Sequence, residues 1–443
     1  MSFVGYVKSN LTRLPMPVGQ AVSLVPFAFR PGIATIYRLR KKQIAELSAQ
    51  GVAQRKKAIF ERVKAIASYA YANVPFYSEL YRAGGVDPAR FSTFDDLADL
   101  PIINKAMLQS VPLEHRSSSK PGRYIVNTGG SSGSTLEFYI EPSSVAHEWA
   151  HMHTIWARLG FRQTDLRIVF AGRSDVRNLV MYDSARHQFN VDIYAGWQAV
   201  ADNLVPIFQR FRAPYLHGYP SSIFDFVQWL EDNNHPLLGL MRGKVRGMLL
   251  GSEFPAPQAR SATERLLGCS SISWYGHTER ALLAYETAKG IYEPFQSYGF
   301  AEAVQIDTHS KLICTGFYNQ ASPFIRYDTG DLVEGRHDEG LLRSFEIREG
   351  RSGEFIIDAH GNKVFLTALI FGRHHKCFDY CSHIQLKQEH PGQVTVFGVA
   401  RPDAPADRFA QDFDAANVAL TFKFCLIAQP FRTSSGKVPL LVR

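Results

Sequence analysis

Apolar positions recur at helical spacing across residues 41–72, with basic residues between them, so this stretch is predicted to be helix. The segment Asn73-Val-Pro-Phe-Tyr-Ser-Glu-Leu-Tyr81 follows, and a Gly84–Gly85 turn closes it. Residues 92–109 offer Ser92 as an N-cap and a break at Pro101. The polarity period then changes. Tyr124-Ile-Val-Asn-Thr128 and residues 136–140 are short β-rich runs, predicting two strands joined by a Gly/Ser/Thr loop. Similar strands are expected at Arg167–Phe170, 247–251 and 271–275, with helical stretches between them. That alternation predicts α/β layers. From about residue 291 to 349 the pattern is short strands and turns, and residues 354–443 read as a small α+β unit.

At 443 residues the chain exceeds the length at which single cores stop growing, so more than one domain is expected. Hydrophobic residues at 45% and charged residues at 20% are ordinary globular values. The 49 basic and 41 acidic residues leave +8. Such an excess suits nucleotides, and equally RNA, an acidic membrane or a plain basic surface. Nothing in the sequence calls for a nucleic-acid partner. The five cysteines, Cys269, Cys314, Cys377, Cys381 and Cys425, are odd in number and mostly lie in apolar runs, which points to a reducing compartment. Residues 1–10 lack a signal-peptide core. The apolar stretch 18–29 is broken by polar residues and proline, short of the roughly 20 residues that span a bilayer. A cytoplasmic protein without a transmembrane segment is expected, with the basic region 14–42 a candidate surface for a membrane or a partner.

Four motifs carry chemistry. In Thr128-Gly-Gly-Ser-Ser-Gly-Ser-Thr135, glycines let the backbone approach a polyphosphate while amides and hydroxyls wrap its oxygens. No Gly-Lys-Ser/Thr follows, so it is not a Walker loop, and a plain hairpin loop fits as well. In Trp274-Tyr-Gly-His-Thr-Glu279, Tyr275 can stack on a base, Thr278 can donate to phosphate and Glu279 can hold Mg²⁺. The competing reading is a strand end turning at Gly276. In Arg326-Tyr-Asp-Thr-Gly-Asp-Leu332, Asp331 can accept both hydroxyls of a ribose, or the segment is a common Asp-Thr-Gly turn. In Arg432-Thr-Ser-Ser-Gly-Lys437, a lysine on a glycine-hinged loop can bring a point charge to a carboxylate and an α-phosphate, or is a solvated tail lysine.

Together with Gly350-Arg351, these motifs occur in the order found in the adenylate-forming superfamily, which the sequence resembles. A narrower resemblance, from about residue 65 onward, is to the phenylacetate–CoA ligase family and its CapK-like branch, associated with capsular polysaccharide biosynthesis. It rests on Val74-Pro-Phe-Tyr77, Pro101-Ile-Ile-Asn-Lys105, Leu216-His-Gly-Tyr-Pro-Ser221, Gly251-Ser-Glu253 and the stretches 361–369 and 384–396. The resemblance implies an α/β fold: a large multi-layer N-terminal adenylation domain, residues 1–350, and a small mobile α+β C-terminal domain, residues 351–443.

The same resemblance implies roles. Ser131, Ser132, Ser134 and Thr135 would hold ATP phosphates, and Gly251, Ser252 and Glu253 would line the adenine pocket with Tyr275, beside Gly276. Thr278 would contact the α-phosphate, Glu279 would bind Mg²⁺, Asp331 would accept the ribose and Arg351 would contact ribose or phosphate. Lys437, with Thr278 and Glu279, would be catalytic. The acid would lie beside Ser273, Trp274, His217 and Tyr219. ATP and Mg²⁺ are thus implied, with a small carboxylic acid as substrate and CoA or a carrier-protein thiol as acceptor; a homodimer is left open. Two departures stand out. Ser134 occupies the place of the usual phosphate-loop lysine, and Gly353 that of a frequent hinge aspartate.

Alternatives remain: adenylylation of a deazaflavin-type hydroxyl, acyl or aminoacyl transfer to a sugar, or a non-catalytic nucleotide-binding assembly protein. Two zinc patterns also compete. His374-His-Lys-Cys-Phe-Asp-Tyr-Cys-Ser-His383 sets Cys377 and Cys381 four apart, and His147-Glu-Trp-Ala-His151 matches a zinc-protease helix. The first lacks a second Cys/His pair at finger spacing, and an ordinary helix accounts for the second.

Overall fold

The computed structural model describes residues 14–30, 32–128, 136–176, 178–212, 214–306, 309–349, 354–371, 373, 375–400, 405, 408–431 and 439–442. Helices α1 (Met16–Ser23), α2 (Ala34–Ala49), α3 (Val52–Asn73) and α4 (Pro75–Ala83) open the chain. The single helix predicted over 41–72 is two. Gly51 sits extended at φ −69°, ψ 167°, and the Gln54 side chain accepts from its N–H at 3.3 Å, so a new helix starts there. Ser92 is not a helix cap. The Asp96 carboxylate instead accepts from the N–H groups of Ser92 (2.6 Å) and Thr93 (2.8 Å), and Asn104 caps α5 (Lys105–Gln109).

Strands β1 (Tyr124–Asn127) and β2 (Glu137–Ile140) pair antiparallel, with Asn127 opposite Glu137. Next come α6 (Ser144–Ala157), β3 (Arg167–Phe170), β4 (Val180–Asp183), β5 (Gln188–Val191), α7 (Trp197–Arg210), β6 (Tyr215–Gly218) and α8 (Pro220–Asp232). They are followed by α9 (Pro236–Arg242), β7 (Gly247–Leu250), α10 (Pro257–Leu267) and β8 (Ser270–Gly276). Strands β5, β3, β6, β7 and β8 lie parallel in that order. Such strands are covered on both faces, which is why β3 and β7 are buried along their whole length. Side chains of α7, α8 and α9, such as Leu204, Phe226 and Leu237, cover one face. Trp156 and Ile155 of α6 cover the other with Phe161.

Beyond β8 the sheet continues antiparallel through β9 (Leu283–Ala288), β10 (Ile291–Pro294), β11 (Gly299–Ile306), β12 (His309–Gly316), β13 (Tyr327–Asp338) and β14 (Leu341–Glu349). The described residues thus form a 12-stranded sheet, ordered β11-β12-β13-β14-β10-β9-β8-β7-β6-β3-β5-β4. The strands after residue 291 are longer than their turn-rich sequence suggests; β13 runs 12 residues, with bulges near Leu332 and Arg336 absorbing polar positions.

The C-terminal part is a small domain with its own sheet. Strands β15 (Phe355–Ile357) and β16 (Lys363–Phe365) form a hairpin, and β17 (Cys381–His390), β18 (Gln393–Ala400) and β19 (Thr421–Leu426) a three-stranded sheet flanked by α11 (Phe409–Asp412). Lys363 Nζ reaches Asp225 Oδ1 of α8 at 2.6 Å, while Asp225 Oδ2 accepts from Trp197 Nε1 at 2.7 Å, tying the hairpin to the large sheet's helices. No helix among the described residues is long and apolar enough to cross a membrane.

Candidate functional site

The parallel strands set the site. Chain order moves from β3 outward to β5, then back across β3 to β6, so the topology reverses between β3 and β6. Ligands of open α/β sheets bind outside the carboxyl ends of the strands at such a reversal. Three of the singled-out segments leave the sheet at these ends: His217–Tyr219 from β6, Gly251–Glu253 from β7 and Tyr275–Glu279 from β8.

At the end of β7 the backbone is confined. A Cβ on Gly251 would lie 2.2 Å from Trp274 Cζ2, so only glycine lets the indole lie against this turn. Ser252 takes φ +71°, a left-handed conformation that costs a non-glycine residue about 1 kcal/mol and that clusters at functional sites. Glu253 is buried, and its Oε2 accepts from the Ser221 N–H at 3.1 Å in the first turn of α8. Its Oε1 is buried without a hydrogen-bond partner, an open acceptor at the strand ends.

Motifs far apart in sequence meet here. Tyr275 Oη donates to Asp331 Oδ2 at 2.6 Å, and Tyr327 Oη donates to Glu279 Oε1 at 3.2 Å. The segment after β8 is thereby laced to the start of β13 by two hydrogen bonds. Gly330, at φ +80°, makes the turn that presents Asp331, whose N–H donates to Thr329 Oγ1 at 3.2 Å. The Tyr275 ring stands edge-on to Phe345 at 5.3 Å. Burial and the adjacent Asp331 carboxylate raise its hydroxyl well above the usual tyrosine range.

Glu279 is 8% exposed. Burial would raise its pKa, yet the His277 ring 3.3 Å away and the charge of Lys105 hold it down to about 2. It is therefore an anion at any working pH. Thr278 beside it is exposed. His277 and Tyr327 lie inside the quoted motifs but carried no role in the sequence reading. Arg326, in the same motif, is a structural clamp: it takes φ +44°, pairs with both oxygens of Glu302 at 3.1 and 3.2 Å, and donates to the carbonyls of Ala98 and Leu100.

The four residues assigned to the acid do not share one surface. His217 stacks on Trp274 (5.8 Å between centroids, 11° between planes) and meets Trp156 edge-on at 5.1 Å. Burial and the nearby Arg167 charge lower the His217 pKa to about 3, so this aromatic wall is neutral. Tyr219 is buried and its N–H donates to Phe170 O at 3.0 Å, fixing the entry to α8. Ser273 is set apart from Trp274. Alternation along β8 turns it to the other face, fully buried, where its Oγ meets Tyr292 Oη at 3.3 Å and its N–H donates to Glu286 Oε2 at 2.9 Å.

Thr128 closes the hairpin around the Gly/Ser/Thr loop: its N–H donates to Leu136 O at 2.9 Å, and its Oγ1 accepts from the Leu136 N–H at 3.0 Å. Ser131, Ser132, Ser134 and Thr135 lie outside the described residues, as do Arg351, Gly353 and Lys437.

Neither zinc pattern assembles a ligand set among the described residues. Among the described residues no group of three or more His, Cys, Asp or Glu converges. His147 takes a hydrogen bond from Arg40 Nε at 2.6 Å and stacks on Tyr318 at 4.1 Å, while His151 bonds to the His147 carbonyl and Ser297 Oγ. Burial lowers both pKa values to about 3. His375 is used at both ring nitrogens, by Leu369 O at 2.9 Å and the Asp414 N–H at 2.8 Å; His374 lies outside the described residues.

No family model matches the chain. The 2-hydroxyisobutyryl-CoA ligase, solved in an open conformation with 2-HIB-AMP and CoA, superimposes with a TM-score of 0.55 at 15% identity, covering 89% of this chain and 92% of that one. The chain has the fold of the adenylate-forming ligases. Its curated relatives include Protein CapK and two phenylacetate-coenzyme A ligases. CapK of Staphylococcus aureus is 24% identical over 284 residues, and the match spans 62% of this chain and 62% of CapK. Phenylacetate-coenzyme A ligase of Escherichia coli (strain K12) is 24% identical over 339 residues, 70% of this chain and 74% of that enzyme.

Proposed function

We propose that the chain is an AMP-forming acid–thiol ligase. It activates a carboxylic acid with ATP as acyl-AMP, releasing pyrophosphate, and passes the acyl group to a thiol, CoA in the first instance. The observation that carries this reading is the pair of cross-motif hydrogen bonds, Tyr275 to Asp331 and Tyr327 to Glu279, at the carboxyl ends of the parallel strands. The curated relatives named as CoA ligases support the same chemistry.

In this reading Asp331, positioned by Tyr275, accepts ribose hydroxyls. Glu253, with one open acceptor, faces an adenine amino group beside Gly251, Ser252 and Gly276. Thr278, exposed at the strand end, donates to the α-phosphate. The buried, anionic Glu279 fits a hard cation that arrives with the nucleotide, because one carboxylate plus phosphate oxygens suffices for Mg²⁺. Such an ion would neutralise charge on the polyphosphate. Ser131, Ser132, Ser134 and Thr135 would wrap the phosphates, and Arg351 would contact ribose or phosphate. Lys437 would supply the charge that offsets the one developing as the carboxylate attacks. Residues 351–443 are the small domain that carries Lys437 and rotates between the two half-reactions. The acid lies against Trp274 and His217, a neutral aromatic wall suited to a flat or apolar substrate.

A panel of carboxylic acids screened for pyrophosphate release, with and without CoA, tests the reading. Acid-dependent release with an acyl-CoA product is expected. A stable AMP ester of a hydroxyl acceptor, formed without any acid, would replace it with adenylylation.

A further inference from the structure

The chain's positive charge is concentrated at one end. Residues 1–45 contain seven of the 49 basic residues, Lys8, Arg13, Arg30, Arg38, Arg40, Lys41 and Lys42, and none of the 41 acidic ones. The remaining chain is close to balanced, with 42 basic against 41 acidic residues. The same segment carries exposed apolar side chains. Leu24 is 70% exposed and Phe29 69%, and Val18, Val25 and Leu39 are each at least 40% exposed.

These side chains stand on a built element. Phe27 is the anchor between Leu24 and Phe29: its ring packs edge-on against His153 at 4.7 Å and beside Trp149 and Tyr37, and its N–H donates to Gln163 Oε1 at 2.9 Å. Arg30 closes the turn from behind. Its guanidinium lies 4.1 Å over the Phe27 ring and donates to the carbonyls of Val25 (3.0 Å) and Val22 (3.3 Å). With Phe27 and Arg30 turned inward, Leu24, Val25 and Phe29 are left in solvent. On α2, Arg40 and Lys41 are used against α6, through His147 and Thr154, whereas Arg38, Leu39 and Lys42 are exposed, Lys42 in a solvent-exposed 3.6 Å pair with Glu46 of the next turn.

We infer that this N-terminal face docks on an anionic phospholipid surface. Large apolar side chains held outward by a rigid turn, in a stretch with basic and no acidic residues, match an interface of lipid headgroups over acyl chains. An acidic protein would satisfy the cations and leave Leu24 and Phe29 wet; a second copy would set the basic stretches against each other. No described helix is long and apolar enough to cross a bilayer, and the contact inferred is with the bilayer surface.

Co-sedimentation of the full chain with vesicles tests this. The wild type is expected to pellet with phosphatidylcholine vesicles containing phosphatidylglycerol and to stay largely in solution with phosphatidylcholine alone. Raising salt from about 50 to 500 mM should weaken binding at least threefold, since surface charges are then screened. The Leu24→Ser/Phe29→Ser variant should bind at least tenfold more weakly with an unchanged melting temperature, and Arg38→Glu/Lys42→Glu should lose the preference for anionic vesicles. Wild type remaining in solution with both vesicle types, or the serine variant pelleting like wild type, would overturn the proposal. So would a wild-type dimer that the serine variant converts to monomer without any vesicle binding, since a second copy would then be the occupant.

Discussion

Removing the Glu286 carboxylate should loosen the strand that presents Tyr275 to Glu279. Arg260 and Glu286 are 2% and 6% exposed and pair through both oxygens, at 2.6 and 2.7 Å. The same two oxygens accept the N–H of Ser273 on β8 (2.9 Å) and of Gly290 in the β9–β10 turn (2.8 Å). Glu286→Ala therefore leaves a buried guanidinium without its bidentate partner, with only Glu264 Oε1 at 3.8 Å from its Nε as counter-charge, and two amides without an acceptor. Stranding one member of a buried pair costs about 3–5 kcal/mol. At about 2–4 °C per kcal/mol for a domain of 150–250 residues, the first thermal transition should fall by roughly 6–20 °C, toward the lower end in a chain of this size. Thermal unfolding followed by circular dichroism reads this directly. Arg260→Met/Glu286→Leu should recover much of the loss, because an apolar pair removes the stranded charge. A loss below about 1 kcal/mol for Glu286→Ala, as for an exposed ion pair, would refute the reasoning.

Other outcomes follow from the site and its supports. His147, His151, His153 and His217 are neutral when folded, their pKa values lowered to about 3, chiefly by burial. A depressed histidine pKa means that the unfolded chain binds more protons below about pH 6.5, so stability present above that value is lost as pH falls toward 3, by up to about 1.4 kcal/mol per pH unit for each ring. Urea midpoints should drop clearly between pH 7 and pH 5; a flat profile would contradict the burial argument. Tyr275→Phe should raise the KM for ATP about tenfold, the equivalent of one hydrogen bond to a charged group, and leave the KM for the acid unchanged. Lys437→Ala should abolish acid-dependent ATP–pyrophosphate exchange while sparing thioester formation from supplied acyl-AMP, and an equal loss in both would contradict the separate half-reactions.

Much of this was legible in the sequence because local rules decided it. Runs of three apolar residues, 168–170 and 248–250, sufficed for β3 and β7, since a strand buried on both faces has no alternation to read. The glycine-rich hairpin was legible for the opposite reason, two short β-rich runs meeting a loop of turn residues. Some of what escaped is local side-chain to backbone bonding: Gly51 starts α3 with Gln54 folded back on it, and Asp96, not Ser92, organises its turn. The rest depends on groups distant in the chain. Ser273 reads as a neighbour of Trp274, but strand alternation sends it to the opposite face against Tyr292, 19 residues on. Arg326, in a motif that invites a nucleotide role, is held by Glu302 and two carbonyls more than 200 residues earlier. The assembly of the site is of this long-range kind: Tyr275 to Asp331 spans 56 residues and Tyr327 to Glu279 spans 48.

The most direct test of the adenylation account is acid-dependent ATP–pyrophosphate exchange by Glu279→Gln beside wild type, without CoA. Glu279 is a buried carboxylate at the ends of the parallel strands, its pKa held low beside His277 and its Oε1 accepting from Tyr327. Wild type should exchange with at least one acid, and the variant should lose about 100-fold while keeping its circular dichroism spectrum, in line with a loss of about 2.7 kcal/mol of transition-state stabilisation. Exchange by the variant at the wild-type rate would contradict the account.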